Sequence, residues 1–314
     1  MCTSPLKAWR DPRKGISFSK SSHSGEELSL PCGQCIECRL KRSRDWAVRC
    51  MHEASLHDKN AFITLTYAPE HLPKDSSLDY KHFQKFMKRL RKQFTGTNIR
   101  FYMCGEYGEN FGRPHFHACL FGIDFPDRKY LTTTKSGSKL YTSKILEKLW
   151  PFGLSSIGDV TFQSAGYVAR YIMKKITGDN AFNQYNFIDD DGVIVRSREP
   201  EFTRMSLKPG IGANWLAKFH SDVYPHDHVI VNGRKNAVPR YYDKRVRKAI
   251  FQAEYGKLPP EKFASEVAEY DIDDIQFERC LRMRAAADAN SDRSLAARNE
   301  HNKAKLKLLK RTIE

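Results

Sequence analysis

Two histidines stand two apart in Arg113-Pro114-His115-Phe116-His117-Ala118-Cys119-Leu120-Phe121, a stretch otherwise rich in strand formers. Strand side chains alternate faces, so His115 and His117 project together while Phe116 points into the opposite layer. Two imidazoles on one face suit a single metal ion, and the bland alternative is a hydrogen-bonded surface pair. A carboxylate is at hand in Gly105-Glu106-Tyr107-Gly108, at the end of the preceding strand, where a turn containing Gly108 and Gly112 would fold it back beside the histidines. Glu109 competes for that role, but Glu106 is preferred because a strand end is better fixed than a turn. Two nitrogens and one carboxylate leave coordination positions open. Mg²⁺ or Mn²⁺ held there would take a phosphate oxygen as a remaining ligand.

A second constellation follows in Tyr167-Val168-Ala169-Arg170-Tyr171-Ile172-Met173-Lys174-Lys175. Tyrosines four apart on a helix share a face, one turn from each other. Arg170 and Lys174 each follow a tyrosine by three positions. Alternatively, such a helix buries two aromatic rings and leaves its lysines in water.

The third group is Cys32-x-x-Cys35-x-x-Cys38, two overlapping units that suit thiolate coordination of a structural Zn²⁺ in a closed tetrahedral site. Its fourth ligand is open between Cys2, Cys50 and His52, and the competing readings are reduced buried thiols or an oxidation-prone loop. An iron–sulfur cluster is disfavoured, since no clear fourth cysteine completes one of the usual runs. The eight cysteines show no secreted disulfide framework, and a reducing cytoplasm fits them better.

These groups need a scaffold, and the chain is long enough to supply one. Its 314 residues are 40% hydrophobic and 12% aromatic, which suffices for a packed core. No apolar run approaches a membrane span, and no secretory signal opens the sequence. With 53 Lys+Arg against 37 Asp+Glu the net charge is +16, which favours a polyanionic partner, nucleic acid first.

Residues 1–30 read as a polar loop. Arg39–His57 has the texture of a helix with one wet basic face. Phe62–Tyr67 reads as a strand. Phe83, Phe86, Met87, Leu90 and Phe94 line one side of a helix whose other side carries Lys81, Lys85, Lys88, Arg89, Arg91 and Lys92. Lys85, Lys88, Arg89, Arg91 and Lys92, with Arg113, are candidate DNA contacts; a solvated helix surface is the alternative. Strands at Ile99–Cys104 and Pro114–Gly122 follow, then a polar loop over 124–142, a helix at Ser143–Trp150, a strand at Ser155–Phe162 and a helix at Gln163–Thr177. This order predicts an α+β fold, an antiparallel sheet flanked by helices. Beyond residue 185 come a turn at Asp189–Gly192 between short strands, a helix end at Trp215–His220, a Val229–Val231 hairpin turning at Asn232-Gly233, and a mainly helical stretch from 241 to 314. The end is basic, with Lys303, Lys305, Lys307, Lys310 and Arg311. Three segments are expected: 1–58 with the cysteines and basic helix, a core over 59–185, and a basic C-terminal extension over 186–314.

Together, Phe62–Tyr67, the Glu106–His115–His117 set and the Tyr-x-x-x-Tyr-x-x-Lys helix resemble the three motifs of the HUH endonucleases. Their order, His pair before tyrosines, is similar to rolling-circle replication initiators and unlike conjugative relaxases. Pro31–Cys35, Trp46-Ala47-Val48-Arg49-Cys50-Met51-His52-Glu53, Gly105–His117 and Pro239-Arg240-Tyr241-Tyr242-Asp243-Lys244 resemble the replication-associated proteins of microviruses, in particular their gokushovirus branch. The resemblance implies an HUH-type core in which Tyr167 or Tyr171 attacks a phosphodiester, leaving a 3′-OH and a 5′-phosphotyrosine. Only about one free tyrosine in a thousand is ionised at pH 7, a cost of about 4 kcal/mol, which a nearby metal, Lys174 and Arg170 would reduce. It further implies viral origin DNA and single-stranded DNA as partners, a host helicase and polymerase, and action in the host cytoplasm. No Gly-x-x-x-x-Gly-Lys-Ser/Thr loop is visible, and nicking requires no nucleotide hydrolysis. A non-catalytic, zinc-stabilised DNA-binding or packaging protein would explain the charge and cysteines but not the histidines and tyrosines.

Overall fold

A computed structural model describes residues 2–11, 15–21, 25–108, 112–170, 180–224 and 226–255, with short stretches between 264 and 304. The chain divides into two compact units, residues 1–42 with 273–310, and residues 43–272 with 311–314.

In the first unit, β1 (Leu6–Asp11), β2 (Gly15–Ser17) and β3 (Glu27–Leu30) form an antiparallel sheet in the order β2-β1-β3. This corrects the loop expected for residues 1–30. The strands are short and mostly solvated, and Ala8 is the only buried apolar residue among the described residues 2–42, so Ser, Lys and Gly mask the pairing signal. Helix α1 (Ile36–Ala54) starts three residues earlier than expected.

The second unit takes the rest of α1 and then runs β4 (Asn60–Thr66), α2 (Tyr80–Gln93), β5 (Arg100–Tyr107), β6 (Pro114–Phe121), β7 (Lys129–Thr133), β8 (Lys139–Thr142), α3 (Lys144–Leu149), β9 (Ser155–Gly158) and α4 (Phe162–Arg170). After these come α5 (Asn180–Tyr185), β10 (Asn186–Ile188), β11 (Ile194–Ser197), β12 (Phe202–Met205), α6 (Ala213–Phe219), β13 (Val229–Val231), β14 (Arg234–Asn236), α7 (Arg240–Tyr255) and α8 (Ala264–Val267). Seven strands pair antiparallel in the order β12-β5-β6-β4-β9-β8-β7. The fold is α+β, with helices on both faces of this sheet.

Period-two alternation divides the residues of the central strands between two layers. Ile63, Leu65 and Tyr67 from β4 and its end, Met103 from β5, and Phe116, Ala118 and Leu120 from β6 face Phe83, Phe86, Met87 and Leu90 of α2 and Leu146, Leu149 and Trp150 of the α3 region. On the other face, Phe62, Tyr102, Cys104, Cys119 and Phe121 meet Ala47, Cys50 and Ala54 of α1 and Ala165, Tyr167, Val168 and Ala169 of α4. Strand β6 is buried along its whole length, so its register is strongly specified.

Two expectations change here. Residues 124–142 contain the β7–β8 hairpin; β7 is exposed at every position, leaving no apolar alternation to read. Nor do the compact units separate at 58/59 and 185/186, because β12 pairs with β5 along Phe202–Met205 and extends the sheet. The expected hairpins at β10–β11 and β13–β14 are present. In the C-terminal stretch α7 and α8 are helical, while Lys305, Lys307, Lys310 and Arg311 lie outside the described residues.

The stretches around Trp46 and Tyr241, distant in sequence, meet. The Arg49 guanidinium lies between the rings of Trp46 (3.9 Å) and Tyr241 (3.8 Å), a desolvated cation–π sandwich. His52 Nδ1 bonds the Tyr242 hydroxyl at 2.8 Å while its ring stacks on Trp215 at 3.5 Å. Glu53 pairs with Arg100 and accepts from the Gly212 amide at 2.7 Å. Gly212 has φ +78°, and a Cβ there would come within 2.6 Å of the Tyr242 hydroxyl, so only glycine fits.

Candidate metal centre and its tyrosine

The site is assembled by strand register. Glu106 on β5 is the direct partner of His115 on β6, and His117 lies opposite both Cys104 and, across β4, Thr64. All three candidate ligands therefore project from the α1/α4 face of the sheet, while Phe116 between the histidines anchors the strand in the other layer. Burial is nearly complete: Glu106 is 1% exposed, His115 7% and His117 2%.

His115 Nε2 lies 2.7 Å and His117 Nε2 3.0 Å from Glu106 Oε1, and one ligand atom from each residue falls within 4.8 Å of the others. The opposite ring nitrogens are oriented from behind. His115 Nδ1 donates to the Arg113 carbonyl at 3.1 Å, and His117 Nδ1 bonds Thr64 Oγ1 at 2.9 Å. In a neutral ring donating from Nδ1, Nε2 carries its lone pair. Lone pairs aimed at one carboxylate oxygen repel, and a cation shared by all three residues removes that repulsion. The donor set thus fits a divalent ion with mixed nitrogen and oxygen preference. Burial by itself raises the Glu106 pKa, but the hydrogen bonds and charge of His115 and His117 outweigh it and hold the group at about 2. It is a carboxylate at neutral pH.

Helix α4 brings Tyr167 to this face. Its start is a reciprocal cap in which the Thr161 amide donates to Ser164 Oγ at 2.8 Å and the Ser164 amide to Thr161 Oγ1 at 3.1 Å. The helix docks closely on α1, where Ser43 Oγ donates to the Gly166 carbonyl at 3.1 Å. Tyr167 is 7% exposed, and its ring meets that of His117 edge-on, with centroids 5.1 Å apart and planes at 87°. Arg170 occupies the last turn and is half-buried. Tyr171, Lys174 and Glu109 lie outside the described residues.

The candidate DNA contacts are placed differently. Lys85, Lys88, Arg91 and Lys92 are exposed on α2, but α2 covers the sheet face opposite Glu106, His115 and His117. They do not line the site. Arg89 is engaged by the Leu149 carbonyl at 2.9 Å, and Arg113 reaches the Tyr67 carbonyl at 3.3 Å. Backbone carbonyls thus hold two side chains expected to meet phosphate. Sequence reasoning also passed over Thr64, whose role depends on register across β4 and leaves no mark in the local motif.

Among the cysteines, Cys2, Cys32, Cys35 and Cys38 bring their sulfurs within 4.8 Å of one another. Cys50 is not the fourth member. It is fully buried in the core of the other unit, because its place on α1 turns it inward beside Ala47 and Ala54. His52 is committed to Tyr242 and Trp215.

No described helix is long and apolar enough to cross a membrane, and no solved structure matches the chain. The family model for the ORF2-type replication-associated protein matches residues 60–176, the segment from β4 past α4. The chain is 34% identical over 281 residues to the replication-associated protein VP4 of Bdellovibrio phage phiMH2K, covering 86% of this chain and 80% of that protein. It is 33% identical to the replication-associated protein ORF2 of Spiroplasma virus 4, covering 75% and 74% of the two chains. With the replication-associated protein ORF4 of Chlamydia phage 1 the identity is 32%, over 72% of this chain and 57% of that one. The matched segment contains the whole Glu106–His115–His117–Tyr167 arrangement, and identity of about a third extends over most of the chain; the chain therefore belongs to the family of replication-associated proteins of microvirus-type phages.

Proposed function

We propose that the protein initiates rolling-circle replication as a site-specific endonuclease that cuts one DNA strand with a tyrosine and later rejoins it. The observation that carries this reading is the approach of the Tyr167 ring to His117, on the face where His115, His117 and Glu106 converge. A nucleophile and a phosphate-polarising ion are useful to each other only at such range.

Glu106, His115 and His117 would hold Mg²⁺ or Mn²⁺, which when bound supplies charge to polarise and orient a phosphate oxygen. The protein's own residues do the rest. The phenolic oxygen of Tyr167 or Tyr171 attacks phosphorus, the bond to the 3′ oxygen breaks, and that oxygen takes the proton that the phenol gives up. The products are a 3′-OH for a host polymerase and a 5′-phosphotyrosine that conserves the bond energy, so no nucleotide is consumed. Arg170 and Lys174 stabilise negative charge on the phosphoryl group. In the reverse reaction a 3′-OH attacks the phosphotyrosine and closes a single-stranded circle. Two tyrosines allow one to hold DNA while the other cuts the regenerated origin. On this reading the partners are viral origin DNA and the displaced single strand, with helicase and polymerase from the host, and the site of action is the host cytoplasm. The charge of +16 supports the polyanionic partner.

Incubation with end-labelled single-stranded origin DNA and Mn²⁺ tests the reading. A covalent protein–DNA adduct is expected, mapping to Tyr167 or Tyr171. Each single Tyr→Phe variant should retain some adduct but form fewer circles, and the double variant should form none while still binding DNA. Adduct persisting in a folded double variant would place the nucleophile elsewhere, and binding without any cleavage by the wild-type protein would favour a packaging role.

A further inference from the structure

We infer that Cys2, Cys32, Cys35 and Cys38 hold one zinc ion in a closed tetrathiolate site that organises the N-terminal unit. A tetrahedron with Zn–S arms of about 2.3 Å has edges of about 3.8 Å. Cys2 Sγ lies 3.5 Å from Cys32 Sγ and 3.7 Å from Cys35 Sγ, and all four sulfurs fall within 4.8 Å of one another. These distances are far beyond a disulfide bond of about 2.05 Å, and all four cysteines are free.

The backbone around the group is arranged for thiolates. The Gln34 and Cys35 amides point at Cys32 Sγ from 3.4 and 3.3 Å, and the Cys32 amide at Cys2 Sγ from 3.3 Å. Three amides directed at two sulfurs contribute little to neutral thiols, which are weak acceptors, and much to metal-bound sulfur. Gly33, at φ +75°, makes the tight turn between Cys32 and Cys35. All four cysteines are half-buried, unlike inert thiols enclosed in a core.

A second observation is independent of the sulfurs. With Ala8 as the only buried apolar residue among the described residues 2–42, the three-stranded sheet there lacks a hydrophobic core. A small unit of that kind needs a staple. The zinc ligands join residue 2, the turn after β3 and the first turn of α1, the places where a staple shortens the loops most.

The test uses the full chain, purified under reducing conditions from zinc-containing medium, in a His115→Ala/His117→Ala background so that the other metal group does not contribute. About one zinc per chain is expected, with an X-ray absorption shell of four sulfurs at about 2.3 Å. Cys2→Ser should lower zinc retention at least tenfold under chelator competition. Cys2→His should restore most of it, since three thiolates and an imidazole also suit zinc, and Cys50→Ser should leave the zinc content unchanged. No stoichiometric zinc, iron in its place, a shell containing nitrogen or oxygen, or full retention in Cys2→Ser would each overturn the assignment. The wild-type stoichiometry and shell are measured directly, so misfolding of a cysteine variant cannot rescue the idea.

Discussion

The Glu106–His115–His117 group and the four-cysteine group each bring their ligand atoms within 4.8 Å of one another, yet they are held by opposite means. Glu106 and His115 are paired across neighbouring strands, and Phe83, Phe116 and Trp150 fix the far side of the same sheet. The ligands are almost wholly buried and preset by the core, and three of them leave room for substrate. The cysteines come from the chain start, a turn and a helix beginning, are half-buried, and have no comparable core around them. Four sulfurs close a coordination sphere. The difference teaches that a core can arrange ligands with or without an ion, whereas a loop site depends on the ion for its arrangement.

The strongest way to break this comparison is to remove each metal group separately. His115→Ala/His117→Ala should reduce cleavage of single-stranded DNA by about 10³-fold or more, the loss of several kcal/mol of transition-state stabilisation. The melting transition and DNA affinity should change little. Stripping divalent ions from the wild-type protein should likewise stop cleavage, with recovery on adding Mn²⁺. Removing zinc from the cysteines should instead expose residues 2–42 to protease. If the His variant unfolded or the stripped cysteine group kept its protection, the contrast would fail.

Thr64 refines the picture of preset ligands. Its hydroxyl orients His117 through Nδ1, so Thr64→Val should lower cleavage about 10–100-fold without moving the melting temperature appreciably. The effect should shrink at saturating Mn²⁺ if it acts through metal affinity.

Acid probes the core directly, away from either metal group. Burial lowers the His52 pKa from 6.5 to about 3. The folded protein therefore resists a proton that the unfolded chain accepts, and this stability is complete above about pH 6.5 and lost as pH falls toward 3. Between pH 6.5 and 5 the loss should be about 2 kcal/mol, read from urea midpoints. His52→Gln should flatten that slope, and an unchanged slope would show that the acid sensitivity arises elsewhere.

The smallest effect is expected from α2. Lys85→Ala, Lys88→Ala and Lys92→Ala, on the face away from the site, should lower affinity only slightly and equally for all sequences. Each lost phosphate contact should reduce the salt dependence by about 0.7 in slope on single strands. A selective loss for origin DNA would bring α2 into recognition and would require DNA to engage both faces.

Alternation in the sequence determined much of this. A strand carrying His115, Phe116 and His117 buried on both faces has only one sensible register, so the shared face of the histidines and the nearness of Glu106 were legible from local spacing. The same holds for α2, whose apolar stripe is strong, and for the segment order that makes the fold α+β. Signals disappeared where strands stay wet on both sides, as in β1–β3 and β7, because solvent imposes no alternation. Only tertiary structure decided which partners distant residues find. Cys2 rather than Cys50 joins the cysteine cluster, β12 pairs with β5, and Tyr241 closes over Arg49. In each case the deciding factor is how the rest of the chain folds around the residue. Cys50 is turned inward by a helix face set by Ala47 and Ala54, and a local motif does not encode which way a helix must face until the sheet beneath it exists.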